Sequence, residues 1–328
     1  MRDLDPANLD CLAALADEGS FERAAQRLAV TQSAVSQRLR SLEAGVGAPL
    51  VVRARPLRLT EPGKVLLRFA RQWHAMRADL ARELGAGLSV QERLPIAVNA
   101  DSLATWVLPA LDALVQEGQE RGWSLELVVD DQDFTHEWLR QGAVLGCVST
   151  VEQALRGCQV LPLGMMRYAA VASPGFVQRW LPQGLTRGNF AQVPFLVFNR
   201  KDDMQTQWVA RAFSVREPRL RECHVPASEA YLRAVEMGWG VGVLPELQAR
   251  EAIARGSLQV LHPEVTVPVA LYWHQWQLQT PADTPGGRLA LLNRVGSALA
   301  AGARNALGPD GGGPATRRRA QRGGRSPR

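Results

Sequence analysis

Between residues 20 and 43 the sequence carries the pattern of two short amphipathic helices separated by a tight turn. Ser20 and Thr31 are oxygen-bearing residues of the kind that caps helix N-termini, and each stands just before an apolar pattern of helical period. The apolar residues of the two patterns are Phe21, Ala24, Ala25, Leu28, Ala34, Val35, Leu39 and Leu42. Helices this short are stabilised mainly by burying such faces against each other, so the pattern predicts a helix-turn-helix.

The second predicted helix has an outward face of short or planar hydrogen-bonding side chains, which can reach base edges and phosphates in DNA. The residues of this face are Thr31, Gln32, Ser33, Ser36, Gln37, Arg38 and Arg40. An ordinary helical hairpin with a solvated polar face has the same pattern. Charge favours the DNA interpretation, because residues 23–77 contain eleven basic and two acidic side chains, a net charge of +9. Such a density indicates a polyanionic partner, and double-stranded DNA is the expected one.

A short two-stranded wing is predicted directly after the second helix. Residues 50–53 have the character of a strand, Pro56 marks a turn, and residues 58–60 form the return strand. Three arginines lie along this segment, namely Arg53, Arg55 and Arg58. Because the wing follows a recognition helix, we expect these arginines to contact backbone phosphates or to enter the minor groove.

A long helix is predicted from about residue 63 to residue 84, with Thr60 as its cap. Its apolar residues are spaced three and four apart, as in a heptad seam, and they are Leu66, Phe69, Trp73, Met76 and Leu80. Packing on its own domain is the plain alternative. However, a helix of about 30 Å, at roughly 1.5 Å per residue, is longer than a small winged domain can cover. The seam therefore predicts dimerisation between two copies of the chain, with a partly palindromic DNA target.

Beyond a polar linker at residues 85–93, strands and helices alternate. This alternation predicts open α/β sheets with helices on both faces, and ligands of such folds bind beyond the carboxyl ends of the strands. The predicted strands are residues 94–99, 124–130, 144–149, 168–173, 195–199, 221–225, 241–244 and 267–273. The predicted helices are residues 102–117, 133–142, 203–213, 228–237 and 283–301.

The motifs of the first half resemble the LysR-type transcriptional regulators, and the resemblance covers residues 4 to about 300. The motifs that carry it are Phe21-Glu-Arg-Ala-Ala-Gln-Arg-Leu, Thr31-Gln-Ser-Ala-Val-Ser-Gln-Arg, Leu42-Glu and Thr60-Glu-Pro-Gly. A second set resembles the ArgP/LysG subfamily, whose members sense basic amino acids and control their export. These motifs are Asn99-Ala-Asp-Ser-Leu-Ala-Thr-Trp-Val-Leu-Pro-Ala-Leu111, Asp202-Asp-Met204, Ser228-Glu-Ala230 and Tyr272-Trp-His274.

The resemblance implies an α/β fold with an N-terminal winged helix-turn-helix, a long linker helix and a two-subdomain effector module like a periplasmic binding protein. The expected domains are residues 1–62 for DNA binding, 63–93 for the dimerisation helix and hinge, and 94–301 for effector binding. Within the last, subdomain I comprises 94–165 and 268–301, and subdomain II comprises 166–267. Residues 302–328, which are rich in Gly, Pro and Arg, are expected to form a disordered tail.

In such a module the effector lies between the subdomains, and the resemblance implies lysine or arginine. Ser102 follows a predicted strand and begins a predicted helix, where it is expected either to contact the effector carboxylate or to act as a plain N-cap. Acidic side chains must accept the effector's cationic groups. Asp101, Asp203 and Glu229 are the first candidates. The whole predicted effector site comprises Asn99, Asp101, Ser102, Asp131, Ser149, Asp202, Asp203 and Glu229.

Other classes of protein fit the sequence less well. No Ser-His-Asp spacing, Gly-rich phosphate loop or H-E-x-x-H motif appears, and the five histidines lie apart along the chain, so we do not expect an enzyme. The four cysteines form no C-x-x-C pair, so neither a metal site, a cofactor nor a disulfide framework is expected. No apolar run approaches the roughly 20 residues that span a bilayer, and no signal segment is evident, so a cytoplasmic protein is expected.

The expected partners are therefore double-stranded DNA, a lysine or arginine effector, further copies of the chain in a homodimer or homotetramer, and RNA polymerase. Genes of amino-acid export or metabolism are the expected targets. Two alternatives stay open: a LysR-type regulator that senses a different small metabolite, and an enzyme-like α/β domain fused to a DNA-binding module. Two departures from the family are the Val51-Val52 pair, where most members carry an aromatic residue, and the tail after Gly302.

Overall fold

A computed structural model of the chain describes residues 4–52, 54, 57–83, 92–130, 135–277 and 288–307. These residues form a helical N-terminal unit with a short wing, a long linker helix and an α/β unit. Within the described ranges, no helix combines the length and the apolar character needed to cross a membrane.

The N-terminal unit is a winged helix-turn-helix. Its elements are α1 (Pro6–Glu18), α2 (Phe21–Arg27), α3 (Gln32–Val46), β1 (Val51–Val52) and β2 (Arg58–Leu59), with the two strands paired antiparallel. The predicted caps are present. Ser20 Oγ accepts a hydrogen bond from the backbone N–H of Arg23 at 3.1 Å, and Thr31 Oγ1 accepts one from Ala34 at 3.2 Å. Each cap satisfies a backbone donor that the first turn of a helix leaves unpaired, which explains why the helices begin where they do.

The core of this unit consists of the apolar faces of its helices. Leu12, Leu15, Val35 and Leu39 are almost fully buried, and Leu50 joins them from the segment that precedes the wing. Because α1 packs against α2 and α3, the apolar side chains of the sequence pattern are buried in this core. The polar side of α3 is left facing outward.

The linker helix α4 (Glu61–Glu83) presents three different faces. It begins as predicted, since Thr60 Oγ1 accepts a hydrogen bond from Gly63 N–H at 3.1 Å. One face packs in the N-terminal core and consists of Leu66, Leu67 and Ala70. A second face is exposed and consists of Val65, Phe69, Trp73, Met76 and Leu80. The heptad pattern assigns Leu66 to the dimer seam, and this assignment is corrected: Leu66 is buried in the N-terminal core, because it lies on the side of α4 that faces its own domain.

The third face of α4 is charged and contacts the α/β unit. Arg140 pairs with Glu61 at 3.3 Å, and Lys64 approaches Glu137 at 3.4 Å. One turn further along, the guanidinium of Arg68 lies 5.2 Å from the ring centroid of Trp276. Contacts spaced three and four residues apart along one helix put all of them on a single side. The linker helix is thus held against the α/β unit of the same chain.

The α/β unit is built on one mixed six-stranded sheet in the order β4-β3-β5-β10-β6-β9. Its strands are β3 (Glu92–Asn99), β4 (Trp123–Asp130), β5 (Gly146–Ser149), β6 (Cys158–Ala172), β9 (Gly242–Pro245) and β10 (Gln259–Trp276). A second, two-stranded parallel sheet comprises β7 (Pro194–Val197) and β8 (Arg221–His224), and a bridge between Phe195 and Val241 joins it to β9. The helices are α5 (Ala100–Ser102), α6 (Leu108–Arg121), α7 (Thr135–Arg140), α8 (Pro174–Trp180), α9 (Met204–Phe213), α10 (Ser228–Glu236), α11 (Glu246–Ala254) and α12 (Arg288–Leu307).

Two long strands, β6 and β10, pair antiparallel along most of their length and run through two lobes of this unit. One lobe contains β3–β5, α5–α7 and α12, and the other contains β7–β9 and α8–α11. The predicted strands cover only parts of them, starting at Tyr168 and Val267. Pro162 and Pro268 are turn signals by local chemistry, yet both lie within the paired ladder. The predicted subdomain limits, after residues 165 and 267, consequently fall inside continuous strands.

Helix boundaries also differ from the predictions. The helix predicted to start at residue 102 starts at Ala100 and continues through a π-helical turn (Leu103–Val107) into α6. Helices α8 and α11 have no predicted counterpart. The boundary of the predicted tail is corrected as well, because α12 extends to Leu307. Ala303 is fully buried in the main core, so packing holds these last turns as helix. Residues 308–328, which complete the predicted tail, lie outside the described residues.

Candidate functional site

The outward side of α3 is the first candidate site. The predicted residues Thr31, Gln32, Ser33, Gln37 and Arg40 are exposed, and Ser36 and Arg38 are half-buried. Thr31 uses its hydroxyl as the cap of α3. The exposed Arg58 lies on β2 of the wing, whereas Arg53 and Arg55 lie outside the described residues. The described part of the surface therefore displays polar amides, hydroxyls and cations on one side of the molecule, as a DNA-binding surface requires.

A cavity between the two lobes of the α/β unit is the second candidate site. It lies where β3 ends and where α9, α10 and α11 approach from the other lobe. Its lining consists of Asn99, Ala100, Asp101, Tyr168, Phe198, Asp202, Met204, Ser228, Tyr231, Val243, Leu244, Pro245 and Gln248. The space open to the centre of a water molecule is about 50 Å³. That is room for a few waters, at roughly 10–15 Å³ each.

The segment from β3 into α5 places one acidic and two polar residues near the cavity. Asn99 occupies the N-cap position of α5, and its side chain makes no capping hydrogen bond there. Its Oδ1 is buried without a hydrogen-bond partner among the described residues. Asp101 lines the cavity. Ser102 lies within the helix and not at its start, so the N-cap interpretation of Ser102 is wrong; its buried Oγ lacks a partner in the described structure, and it is not a lining residue.

Asp101 is the acidic group of the cavity that side chains from both lobes contact. Its Oδ2 accepts a hydrogen bond from Tyr168 OH at 2.7 Å, and its Oδ1 accepts one from Ser228 Oγ at 2.9 Å. Gln248 Nε2 in turn donates to Ser228 Oγ at 3.0 Å. These four side chains come from α5, β6, α10 and α11, so one carboxylate connects the two lobes.

The second carboxylate of the lining, Asp202, is held by the start of α9. Its oxygens accept hydrogen bonds from the backbone N–H groups of Phe198 at 2.9 Å and Met204 at 3.0 Å. Gln205 Nε2 donates to Asp202 at 3.0 Å and contacts the Tyr231 hydroxyl at 3.1 Å. Burial raises the pKa of Tyr231, which keeps its phenol neutral. Asp202 is thus a fixed negative charge whose position is set by backbone contacts.

Three further predicted effector residues, Asp203, Glu229 and Ser149, lie outside the cavity lining. Asp203 is exposed, because it points in a different direction from its neighbour Asp202 at the start of α9. Its carboxylate accepts a hydrogen bond from Gln207 Nε2 at 2.8 Å. Glu229 is exposed for the same reason: it is one residue past Ser228, about 100° around α10. Ser149 is fully buried, and its Oγ accepts a hydrogen bond from Val151 N–H at 3.2 Å. Asp131 lies outside the described residues.

Several lining residues escape the sequence prediction. Tyr168 is identified there only as the start of a strand, and Ser228 only as part of a motif at the start of a helix. Gln248 and Tyr231 carry no local signal, since neither has a neighbour in sequence with which it would form a recognisable pattern. A search for hydroxyl and amide side chains at every predicted helix start would have found Ser228, which is the first residue of α10.

The cavity has the electrostatics of a cation-binding site. Asp101 and Asp202 contribute two carboxylates, and none of the described lining residues is basic. The other polar groups are hydroxyls and amides, and the wall is completed by apolar side chains such as Phe198, Met204 and Pro245. Carboxylates shielded from water in this way favour a ligand that carries positive charge.

Histidine, cysteine and acidic side chains outside the cavity are the remaining candidates for a functional cluster. Among them, no group of three or more His, Cys, Asp or Glu side chains is placed to hold a metal ion. His136 and His274, which lie far apart in sequence, do meet in space with ring centroids 5.1 Å apart. Neither lines the cavity. Burial lowers the pKa of both imidazoles, so each is favoured in its neutral form, His274 within the sheet and the half-buried His136 on α7.

Two family models match the chain. The model described as "Bacterial regulatory helix-turn-helix protein, lysR family" matches residues 6–64, and the "LysR substrate binding domain" matches residues 89–283. The chain is similar to the HTH-type transcriptional regulator ArgP of Aeromonas salmonicida, with 43% identity over 85% of this chain and 93% of that protein. It is also similar to the HTH-type transcriptional regulator LysG of Mycobacterium bovis, with 42% identity over 85% of this chain and 89% of the relative.

Solved structures agree with these sequence relatives. The crystal structure of ArgP from Mycobacterium tuberculosis superposes with a TM-score of 0.79 at 40% identity, covering 92% of this chain and 98% of that one. Full-length LysG from Corynebacterium glutamicum with bound effector Arg superposes with a TM-score of 0.72 at 34% identity, covering 93% of this chain and all of that one. The winged helix-turn-helix, the long linker helix and the two-lobed α/β unit thus occur together in these relatives. The chain belongs to the LysR family and is a DNA-binding transcriptional regulator of the LysR type.

Proposed function

We propose that this regulator responds to a basic amino acid, lysine or arginine, bound in the cavity between the two lobes. The observation that carries the proposal is the charge of the lining: Asp101 and Asp202 are acidic, and the described lining residues include no basic side chain. A free basic amino acid carries two cationic groups and one carboxylate. Two fixed carboxylates in a partly buried site complement the two cations, and this complementarity gives specificity over neutral amino acids.

The relatives support the same ligand class. Proteins named ArgP and LysG are similar to this chain over most of its length, and the structure of one LysG contains the effector Arg. Since all of these are transcriptional regulators, we infer that the α/β unit of this chain senses its ligand and does not transform it. The expected targets are genes of amino-acid export or metabolism.

We also propose that the regulator acts as a homo-oligomer, either a homodimer or a homotetramer. The exposed face of α4 supports this, because Phe69, Trp73, Met76 and Leu80 leave a large apolar stripe open to solvent. A two-fold dimer through this stripe places two copies of α3 on one face of DNA. RNA polymerase is the further partner proposed for the DNA-bound assembly.

Isothermal titration calorimetry of the full chain tests the ligand. L-lysine and L-arginine are expected to bind, whereas their counterparts with neutral side chains, L-norleucine and L-citrulline, are expected to bind at least about tenfold more weakly, because a neutral side chain does not offset the negative charge of the lining carboxylates. Asp101→Asn should remove most of the affinity for the basic amino acids. The matched control is Asp203→Asn, which changes an exposed carboxylate outside the cavity.

Two results would count against this function. Equal affinity for arginine and citrulline would show that charge does not select the ligand. Full affinity in Asp101→Asn would show that the effector binds elsewhere. If neither basic amino acid binds and a thermal-shift screen finds another stabilising metabolite, the chain is a LysR-type regulator of different specificity.

A further inference from the structure

Ser228 makes a hydrogen bond across the cavity to the carboxylate that the proposed function assigns to the ligand. Its Oγ lies 2.9 Å from Asp101 Oδ1, although the two residues are 127 positions apart in sequence. A carboxylate only accepts hydrogen bonds, so the serine hydroxyl must be the donor in this pair. Tyr168 OH donates to the other oxygen of Asp101 at 2.7 Å. We call these two hydroxyl contacts the hydroxyl clasp.

The hydroxyl of Ser228 is held in this orientation by a third side chain. Gln248 Nε2 donates to Ser228 Oγ at 3.0 Å and to the backbone carbonyl of Ser228 at 3.1 Å. Because Oγ accepts from Gln248, its single proton is directed to Asp101. A series of hydrogen bonds from Gln248 to Ser228 to Asp101 therefore connects α11 and α10 in one lobe with α5 in the other.

The hydroxyl clasp lies in the wall of the cavity. Asp101, Tyr168, Ser228 and Gln248 all belong to the lining. Ser228 Oγ occupies one oxygen of Asp101, so a ligand cation that approaches this oxygen from the cavity meets a hydrogen bond already made. At this contact a residue of α10 meets a charged group of α5.

Resting on the proposed function, we propose that Ser228 is a specificity-determining residue that competes with the ligand: its hydroxyl occupies the place on Asp101 that a cationic group of the amino acid takes on binding. A cationic donor adds Coulomb attraction to its hydrogen bond with a carboxylate, and a neutral donor does not. A cation therefore displaces the Ser228 hydroxyl, whereas a neutral amide or hydroxyl gains little by the exchange.

Tyr168 has a different part in the exchange. Its ring is almost completely buried on β6, so the sheet fixes its hydroxyl beside Asp101. We assign it as a positioning residue that stays on Asp101 when the ligand is bound and orients the second oxygen of the carboxylate. The two contacts of the hydroxyl clasp thus have opposite effects on affinity. The Ser228 contact is lost on binding and opposes it, whereas the Tyr168 contact is kept and supports it.

Calorimetric titration of the full chain with L-arginine and L-lysine tests these assignments. Ser228→Ala is expected to bind both amino acids at least about fivefold more tightly than the wild type, because the competing hydrogen bond is gone before binding. Tyr168→Phe is expected to bind them at least about threefold more weakly, because a retained contact is lost. The matched control is Ser257→Ala, which removes a serine hydrogen bond to a carboxylate, Glu236, outside the cavity and should leave affinity unchanged.

The outcomes separate this proposal from the proposed function. Weaker or unchanged binding in Ser228→Ala, with wild-type binding intact, overturns the competition and leaves the basic-amino-acid function standing. Failure of the wild type to bind either amino acid overturns both. Circular dichroism and the melting temperature of each variant identify misfolding, which could only lower affinity. An increase in affinity is therefore a result that a purely structural role of Ser228 does not produce.

Discussion

The backbone of Gly142 lies directly against the linker helix at Arg68. A β-carbon built on Gly142 would be 2.8 Å from Arg68 Cα, and the φ angle of Gly142 is +68°, a left-handed conformation that side chains rarely adopt. The same turn receives a hydrogen bond from Arg71 to the Gly142 carbonyl. A residue without a side chain thus lets the DNA-binding part of the chain seat on the α/β unit.

Gly142→Val is expected to disturb this seating. The left-handed conformation alone costs about 1–2 kcal/mol in the free energy of unfolding for a residue with a side chain, and the clash with Arg68 adds to it. We expect the variant to bind effector normally, since Gly142 is not a cavity-lining residue, but to change its DNA affinity less when effector is added. Fluorescence anisotropy with labelled DNA, with and without effector, measures this.

Gly184→Val is the control for that experiment. Gly184 has a φ angle of +81°, and a β-carbon there meets nothing within 4 Å. Gly184→Val therefore introduces backbone strain without a steric clash. An equal effect of both substitutions on DNA binding would mean that strain alone, and not the seating of Gly142 on Arg68, is responsible.

Replacing Trp73 by Glu is expected to break the proposed dimer. Trp73 and Phe69 are 42% and 53% exposed on the open face of α4, so a charge there costs little in the monomer but is buried without a partner in a dimer. Sedimentation velocity should show the variant as a monomer at concentrations where the wild type is an oligomer. Trp239→Glu is the control, because Trp239 is similarly exposed but lies on the α/β unit. Oligomerisation that survives in Trp73→Glu would place the interface elsewhere.

The half-buried His136 and the buried His274 predict a loss of stability at mildly acidic pH. Burial lowers both pKa values below the usual 6.5, so the unfolded chain binds protons more readily than the folded one. Their contribution to stability is therefore complete above pH 6.5 and is lost as the pH falls below that value. One such histidine can cost at most about 1.4 kcal/mol at pH 5.5.

Urea unfolding at pH 7.5 and pH 5.5 checks this prediction. His136→Phe keeps an aromatic ring against His274 but cannot be protonated, so its stability should fall less between the two pH values than that of the wild type. For each protein, the free energy of unfolding at pH 5.5 is subtracted from that at pH 7.5, and the two resulting differences are compared. Any effect of the substitution that does not depend on pH cancels. Equal falls in both proteins would show that protonation of His136 does not contribute.

On the surface of α3, Gln37 and Arg40 are expected to contribute differently to DNA binding. Arg40→Ala should lower the slope of log affinity against log salt by about 0.9 if Arg40 contacts one phosphate. Gln37→Ala should leave that slope unchanged and reduce affinity for the preferred sequence by about 1–3 kcal/mol if Gln37 contacts a base edge. Anisotropy titrations at several salt concentrations, with a selected operator and a scrambled duplex, distinguish the two roles. A salt slope that is unchanged in Arg40→Ala would remove Arg40 from the phosphate contacts.

Local sequence was sufficient for the N-terminal unit and for the class of fold. The caps at Ser20 and Thr31 lie where the pattern predicts them, because a capping hydrogen bond spans only three residues. The alternation of strands and helices likewise predicts the α/β unit, and the family assignment is confirmed by the matching models. These features depend on interactions between near neighbours in the chain, which spacing and composition reveal.

Tertiary structure alone decided which residues meet. Asp101 is joined to Tyr168 and Ser228 over 67 and 127 residues of sequence, and no local pattern encodes such pairings. It also decided which side of α4 is covered: Leu66 and Phe69 share one heptad pattern, yet the N-terminal core buries the first and leaves the second exposed. Periodicity shows that a helix has an apolar side. Which part of that side is already occupied depends on elements packed from elsewhere in the chain.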